Sequence, residues 1–132
     1  MFRVYDKKLK QWMQKGVYLA SDALYVEKRS LFGTRLQRVQ TDERYICHFY
    51  IYMLDNYGTR IYEGDYLKAK VSEGKTVIGL VAYAEEIGVY VILSVDSDEY
   101  YILSNEISNR IEVIGNVFDG YNEEEKDGKQ PL

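Results

Sequence analysis

Between Asp65 and Phe118 short apolar runs alternate with short polar turns, and this punctuation narrows the fold more than any other feature of the chain. It predicts strands at 65–71, 76–84, 89–95, 100–103 and 111–118. The breaks are Ser72-Glu73-Gly74-Lys75, Glu85-Glu86-Ile87-Gly88, Asp96-Ser97-Asp98-Glu99 and the longer stretch from Ser104 to Arg110. Glycine supplies positive φ in the first two, and Asp and Ser supply local turn hydrogen bonds in the third. Ser104-Asn105-Glu106-Ile107 suits a single 3₁₀ turn before the last strand. Five strands in this layout match an SH3-like antiparallel barrel, one of several meanders that fit the spacing. Helical periodicity is lacking over any useful window, and the one proline is Pro131.

The N-terminal part also reads as β. Phe2-Arg3-Val4-Tyr5 and Gln11-Trp12-Met13 flank a polar stretch and predict a hairpin. A second hairpin runs from Leu24-Tyr25-Val26 through a turn at Phe32-Gly33-Thr34 to Arg35–Val39, and is basic and solvated. Arg44 to Leu54 is the most apolar stretch, with Tyr45, Cys47, Phe49, Ile51 and Met53 on one face of a strand. Both faces are mainly apolar, which predicts cover on both sides. The expected fold is therefore mainly β: an N-terminal β-rich segment (1–54) packed on a C-terminal barrel (55–120) as one domain, then a flexible polar tail (121–132). Phe49, Ile51, Val81, Val91, Ile102 and Ile114 are the expected core.

Composition bears on compartment and partners. No apolar run approaches the ~20 residues of a membrane span, and no apolar segment follows the first basic residues as in a secretory signal. A single cysteine, Cys47, allows no internal disulfide, so the cytoplasm is the expected compartment. Fourteen tyrosines against four phenylalanines and one tryptophan suggest a thin core with many half-buried rings, and tyrosine is favoured at interfaces. Residues 1–44 hold ten Lys/Arg and five Asp/Glu, a net +5; residues 45–132 hold seven and sixteen, a net −9. Such a split fits a polyanion-binding arm, or two parts that face each other within or between chains.

Little in the sequence points to catalysis. Cys47 and His48 are adjacent, so on a strand they project to opposite faces and cannot act as a pair. With one Cys and one His, a structural zinc site is out of reach. Asp96-x-Asp98-Glu99 lacks the spacing and flanking helices of a calcium loop, and no glycine-rich phosphate loop occurs. No metal or cofactor is expected. Asp55-Asn56-Tyr57-Gly58 reads as a turn with glycine at the left-handed position, and Glu63-Gly64-Asp65 as a second turn. Asp65 is expected to accept backbone N–H bonds there and not to act as an acid or base. The one segment with functional content is the basic hairpin, where Lys28, Arg29, Arg35 and Arg38 are interleaved with Tyr25 and Phe32. That mixture suits a protein contact, expected to include self-association, or the phosphates and bases of a nucleic acid.

Three segments together resemble one family. Phe2, Arg3, Tyr5 and Asp6 fit an opening F-R-x-[WY]-D. Asp55, Gly58, Ile61 to Asp65 and Lys68 fit D-x-x-G-x-x-I-Y-E-G-D-x-[VL]-K. Glu112 to Phe118 fit a closing E-V-I-G-N-[IV]-[YF]. In this order and over nearly the whole chain they are similar to the YopX family of phage and prophage proteins. Tyr57 stands where a small or polar residue is usual. The resemblance implies a small, mainly β protein acting in a bacterial host, with a phage or host protein as a possible partner, and implies no activity.

Overall fold

The computed structural model describes residues 1–20, 23–39 and 44–122. The chain forms two compact units, Met1–Phe49 and Tyr50–Leu132, and the division falls inside the apolar strand Tyr45–Leu54. The last ten residues of the expected tail, 123–132, lie outside the described residues.

In the first unit, β1 (Phe2–Asp6) pairs antiparallel with β2 (Gln11–Trp12) on one side and with the opening half of β6 (Tyr45–Leu54) on the other. A separate three-stranded sheet contains β3 (Val17–Leu19), β4 (Leu24–Ser30) and β5 (Gly33–Val39) in that order. Both expected hairpins are present, and β3 is an addition that its short Val-Tyr-Leu run does not announce. Val4, Leu24, Val26 and Tyr45 are buried, with Phe2, Met13, Val17, Val39 and Cys47 packed around them. Leu24 and Val26 share one face of β4 at a spacing of two, so the root of the hairpin is anchored in this core. Burying each such side chain contributes roughly 1.5–3 kcal/mol.

The second unit is regular. After β7 (Arg60–Tyr62) come β8 (Asp65–Ser72), β9 (Lys75–Ala84), β10 (Val89–Ser94), β11 (Tyr100–Ile102), a 3₁₀ helix (Asn105–Arg110), β12 (Ile111–Asn116) and β13 (Gly120–Tyr121). All pairings are antiparallel, in the order β11-β10-β9-β8-β12-β13, and the sheet curves as a half-barrel. The last strand takes in the first residue of the expected tail: Tyr121 pairs with Gly115. A Cβ on Gly115 would lie 1.9 Å from the Gly120 carbonyl oxygen, so only glycine permits this approach. The core is Ile51, Met53, Ile61, Leu67, Ala69, Val81, Ile92, Leu103 and Ile111.

Four of the six expected core residues are buried: Ile51, Val81, Val91 and Ile114. Two are not. Ile102 is 55 % exposed because the neighbouring Leu103, on the opposite face of the strand, is the residue that enters the core, although Val91 across from Ile102 is buried. In Tyr-Tyr-Ile-Leu every position is apolar, so the sequence carries no alternation to set the phase. Phe49 is exposed, opposite Phe2 in the last pair of the β1–β6 ladder. Nor is β6 covered on both sides throughout. Its register shifts between Tyr50 and Leu54, Tyr52 takes a positive φ of 62°, and both Tyr52 and Leu54 are exposed.

Candidate interaction surface

Three aspartates of the motif segments, Asp6, Asp55 and Asp65, accept hydrogen bonds from the backbone. Asp55 is buried, and its carboxylate accepts from the N–H groups of Tyr57 (2.8 Å), Thr59 (2.8 Å) and Val113 (2.9 Å). The first two bonds shape the turn, in which Gly58 has a φ of +81° and Tyr57 is tolerated with its ring half-buried. The third reaches 58 positions along the chain to the closing motif. Asp65 is buried and accepts from the Tyr62 N–H at 2.8 Å across the turn at Glu63-Gly64, where Gly64 has a φ of +80°. Gly64 itself donates to the Val81 carbonyl and accepts from the Val117 N–H. Glu63 receives a hydrogen bond from the Tyr90 hydroxyl at 3.3 Å. The middle and closing motifs are thus clamped together by main-chain bonds.

The opening motif works in the same way. Asp6 is buried, accepts from the Lys8 and Leu9 N–H groups, and is gripped by Arg44 through Nε (2.9 Å) and a terminal nitrogen (2.7 Å). This forked pair, more than the backbone bonds, holds the Asp6 carboxyl down at about 2. A depression of about 540 Å³ beside the β1–β2 hairpin is lined by Asp6, Trp12, Met13 and Lys15 among others. Both oxygens of the Asp6 carboxylate are already committed to Arg44 and the backbone.

Cys47 and His48 pair with Val4 and Arg3 on opposite faces of β6. Cys47 packs on the apolar core; His48 lies 6.0 Å from the Trp12 ring, over which the Arg3 guanidinium sits at 4.4 Å. Burial first, and the Arg3 charge second, lower the His48 imidazole to about 4, so it is neutral at physiological pH. Among the described residues no group of three His, Cys, Asp or Glu is arranged to hold a metal ion.

The basic segment forms the β4–β5 hairpin, and its register sorts the side chains by face. Lys28 lies directly across from Arg35, Tyr25 from Arg38, and Arg29 from Thr34. Tyr18 of β3 lies across from Tyr25 on the other side and donates its hydroxyl to Glu27 at 2.8 Å. Two cations facing each other repel and normally destabilise a ladder. Lys28 finds partial relief in the Tyr45 hydroxyl at 3.4 Å. At the tip, the Ser30 hydroxyl donates to the Gly33 carbonyl and accepts from the Phe32 N–H, which fixes the turn. Leu31 and Phe32 are each 99 % exposed there, with Leu36 more than half exposed on β5. The sequence marks Phe32 as part of a basic, aromatic stretch. Leu31 escapes that reading, although an apolar pair where turns favour Gly, Asn, Asp and Ser is a legible signal.

These features define a small antiparallel β protein whose motif aspartates serve its turns, with an apolar hairpin tip and a set of surface tyrosines in solvent. A family profile described as YopX protein matches residues 1–122, and the chain belongs to the YopX family. No curated protein matches it. Among the described residues no helix is long and apolar enough to cross a membrane.

Proposed function

We propose that this protein is a non-catalytic interaction module of a phage or prophage, working in the cytoplasm of the bacterial host, that self-associates through the β4–β5 hairpin. The hairpin tip carries the reading. Two large apolar side chains, Leu31 and Phe32, stand fully in solvent on a turn held in shape by Ser30. Such exposure has no role in a folded monomer, and large exposed apolar groups ringed by polar ones are the pattern of a contact surface. The tyrosines support it: two of fourteen, Tyr5 and Tyr45, are buried, and five are more than two-fifths exposed. The second unit is read as an SH3-like barrel, because β12 returns to β8 after the 3₁₀ helix, as the order of strands requires. The motif aspartates support a structural and not a catalytic role, since Asp6, Asp55 and Asp65 hold backbone N–H groups.

Sedimentation velocity at micromolar concentration tests this reading. A species heavier than the chain is expected for the wild type, and it should be lost in Phe32→Ala and reduced in Tyr25→Ala. A second reading, nucleic-acid binding, draws on the cross-strand cations Lys28 and Arg35 with Arg38 beside Tyr25. It requires binding to single- or double-stranded nucleic acid that falls steeply with salt and is abolished by Arg35→Ala.

A further inference from the structure

The outer face of the second unit carries a surface that matches the hairpin tip. On β10, Val89, Val91 and Leu93 lie on the face opposite the core residue Ile92; Val91 is itself buried, and Leu93 is exposed. Their cross-strand partners place Leu80, Leu93 and Tyr100 in one row, and Ala82, Val91 and Ile102 in the next. Leu93 is 42 % exposed, and Tyr100 and Ile102 are 55 % exposed. An acidic turn closes each end of this strip: Glu85-Glu86 joins β9 to β10, and Asp96, Asp98 and Glu99 join β10 to β11. Glu99 is shared with Lys75 and the Tyr101 hydroxyl, which leaves the turn acidic in balance.

We infer that the hairpin tip of one copy docks on the β10–β11 outer face of a second copy, a receptor site that rests on the self-association reading and deepens it. Leu31 and Phe32 cover Leu93, Tyr100 and Ile102, while the hairpin cations reach the two acidic turns. The spacing agrees on both sides. Arg29 is two residues from Leu31 and Arg35 three from Phe32, which at about 3.3 Å per residue puts positive charge roughly 7–10 Å from the apolar tip. Glu86 and Asp96 each lie three residues from Val89 and Leu93, the ends of the strip, so negative charge borders the apolar surface at a similar distance. The signs are opposite, consistent with the net +5 of residues 1–44 and −9 of residues 45–132. Complementary charge sets register and speeds encounter, and the apolar contact holds the pair. In a two-fold dimer each copy supplies one tip and one strip, so the contact is made twice.

The test uses the full chain with Cys47→Ala, so that introduced thiols are the only ones. One preparation carries Leu31→Cys, a second Ile102→Cys, and a third Glu73→Cys on the β8–β9 turn as a decoy. All three positions are exposed, and circular dichroism checks that each variant folds. Mixing the first two under mild oxidation should give a mixed disulfide dimer far in excess of the Leu31→Cys with Glu73→Cys product. In the Cys47→Ala background without other thiols, Arg35→Glu should weaken association, and mixing it with Asp98→Lys chains should restore it. Assembly that persists by light scattering without preferential joining of positions 31 and 102 overturns this receptor site and leaves self-association standing. Chains that stay monomeric throughout overturn both. Monomers that bind single-stranded DNA or anionic vesicles through Leu31 and Phe32 would also overturn it, since the tip would then have another occupant.

Discussion

Asp55 joins three backbone N–H groups from two distant parts of the chain, and its removal should be felt in both. Asp55→Ala orphans the Tyr57, Thr59 and Val113 donors. Leaving a buried donor unsatisfied costs about 1–3 kcal/mol, so a total loss of about 3 kcal/mol or more in urea unfolding is expected. Asp55→Asn should lose less, and the same order is expected for Asp65→Ala and Asp65→Asn, because an amide oxygen still accepts. Equal losses for the Ala and Asn variants would mean that charge, and not acceptance, is what each site supplies. The role of Asp65 is legible in the sequence because its partner, Tyr62, lies three residues away across a glycine turn. The bonds from Asp55 to Val113 and from Asp6 to Arg44 are not, since nothing local marks a partner 58 or 38 positions off. His48 adds a pH dependence. Its folded pKa of about 4 lies below the ordinary 6.5, so between these values the unfolded chain binds more protons and stability rises with pH. Stability should therefore fall by on the order of 2 kcal/mol, allowing for residual solvent at the ring, as pH drops from 6.5 to 4. This source should add nothing further below that. Asp6, held at about 2, takes over in the next window, from 3.8 downwards. His48→Phe should flatten the first window and leave the second; thermal melts across pH resolve the two.

At the level of elements, turn chemistry carries most of the legibility. Gly74 and Gly88 both take positive φ where the sequence places turns, and β8 to β12 begin and end within a few residues of the expected bounds. Phase and closure are what the sequence withholds. β11 is three residues of continuous apolar character, so which face meets the core cannot be read, and Ile102 faces outward. β13 is two residues long and depends on a close backbone approach at Gly115, a constraint that pattern cannot reveal. Gly115→Ala should therefore separate β13 from β12, with loss of amide-exchange protection at Gly115 and Tyr121, and should cost about 2 kcal/mol or more as a backbone clash. Protection unchanged in that variant would show that the two strands tolerate a Cβ by shifting apart. Likewise Ile102→Ala should cost well under the ~2–5 kcal/mol expected for Ile92→Ala, whose side chain is fully buried.

For the molecule as a whole, the charge split and the tyrosine count are plain in the sequence, and they suggest contact without saying where. The proposed contact places them on the hairpin, which has a core-anchored root at Leu24 and Val26, cations along both strands, and an apolar tip in solvent. If buried aromatic area supplies most of the affinity, salt should weaken the assembly only in part, whereas truncating the tip should weaken it by roughly 30-fold or more, the range of interface hot spots. Light scattering over a micromolar concentration series, on the wild type and on Phe32→Ala, is the decisive measurement. A wild-type mass at least twice the 15.5 kDa of the chain, modestly reduced by salt, is expected, with a Phe32→Ala variant that stays at 15.5 kDa over the same range. A wild type that remains at 15.5 kDa throughout would contradict self-association.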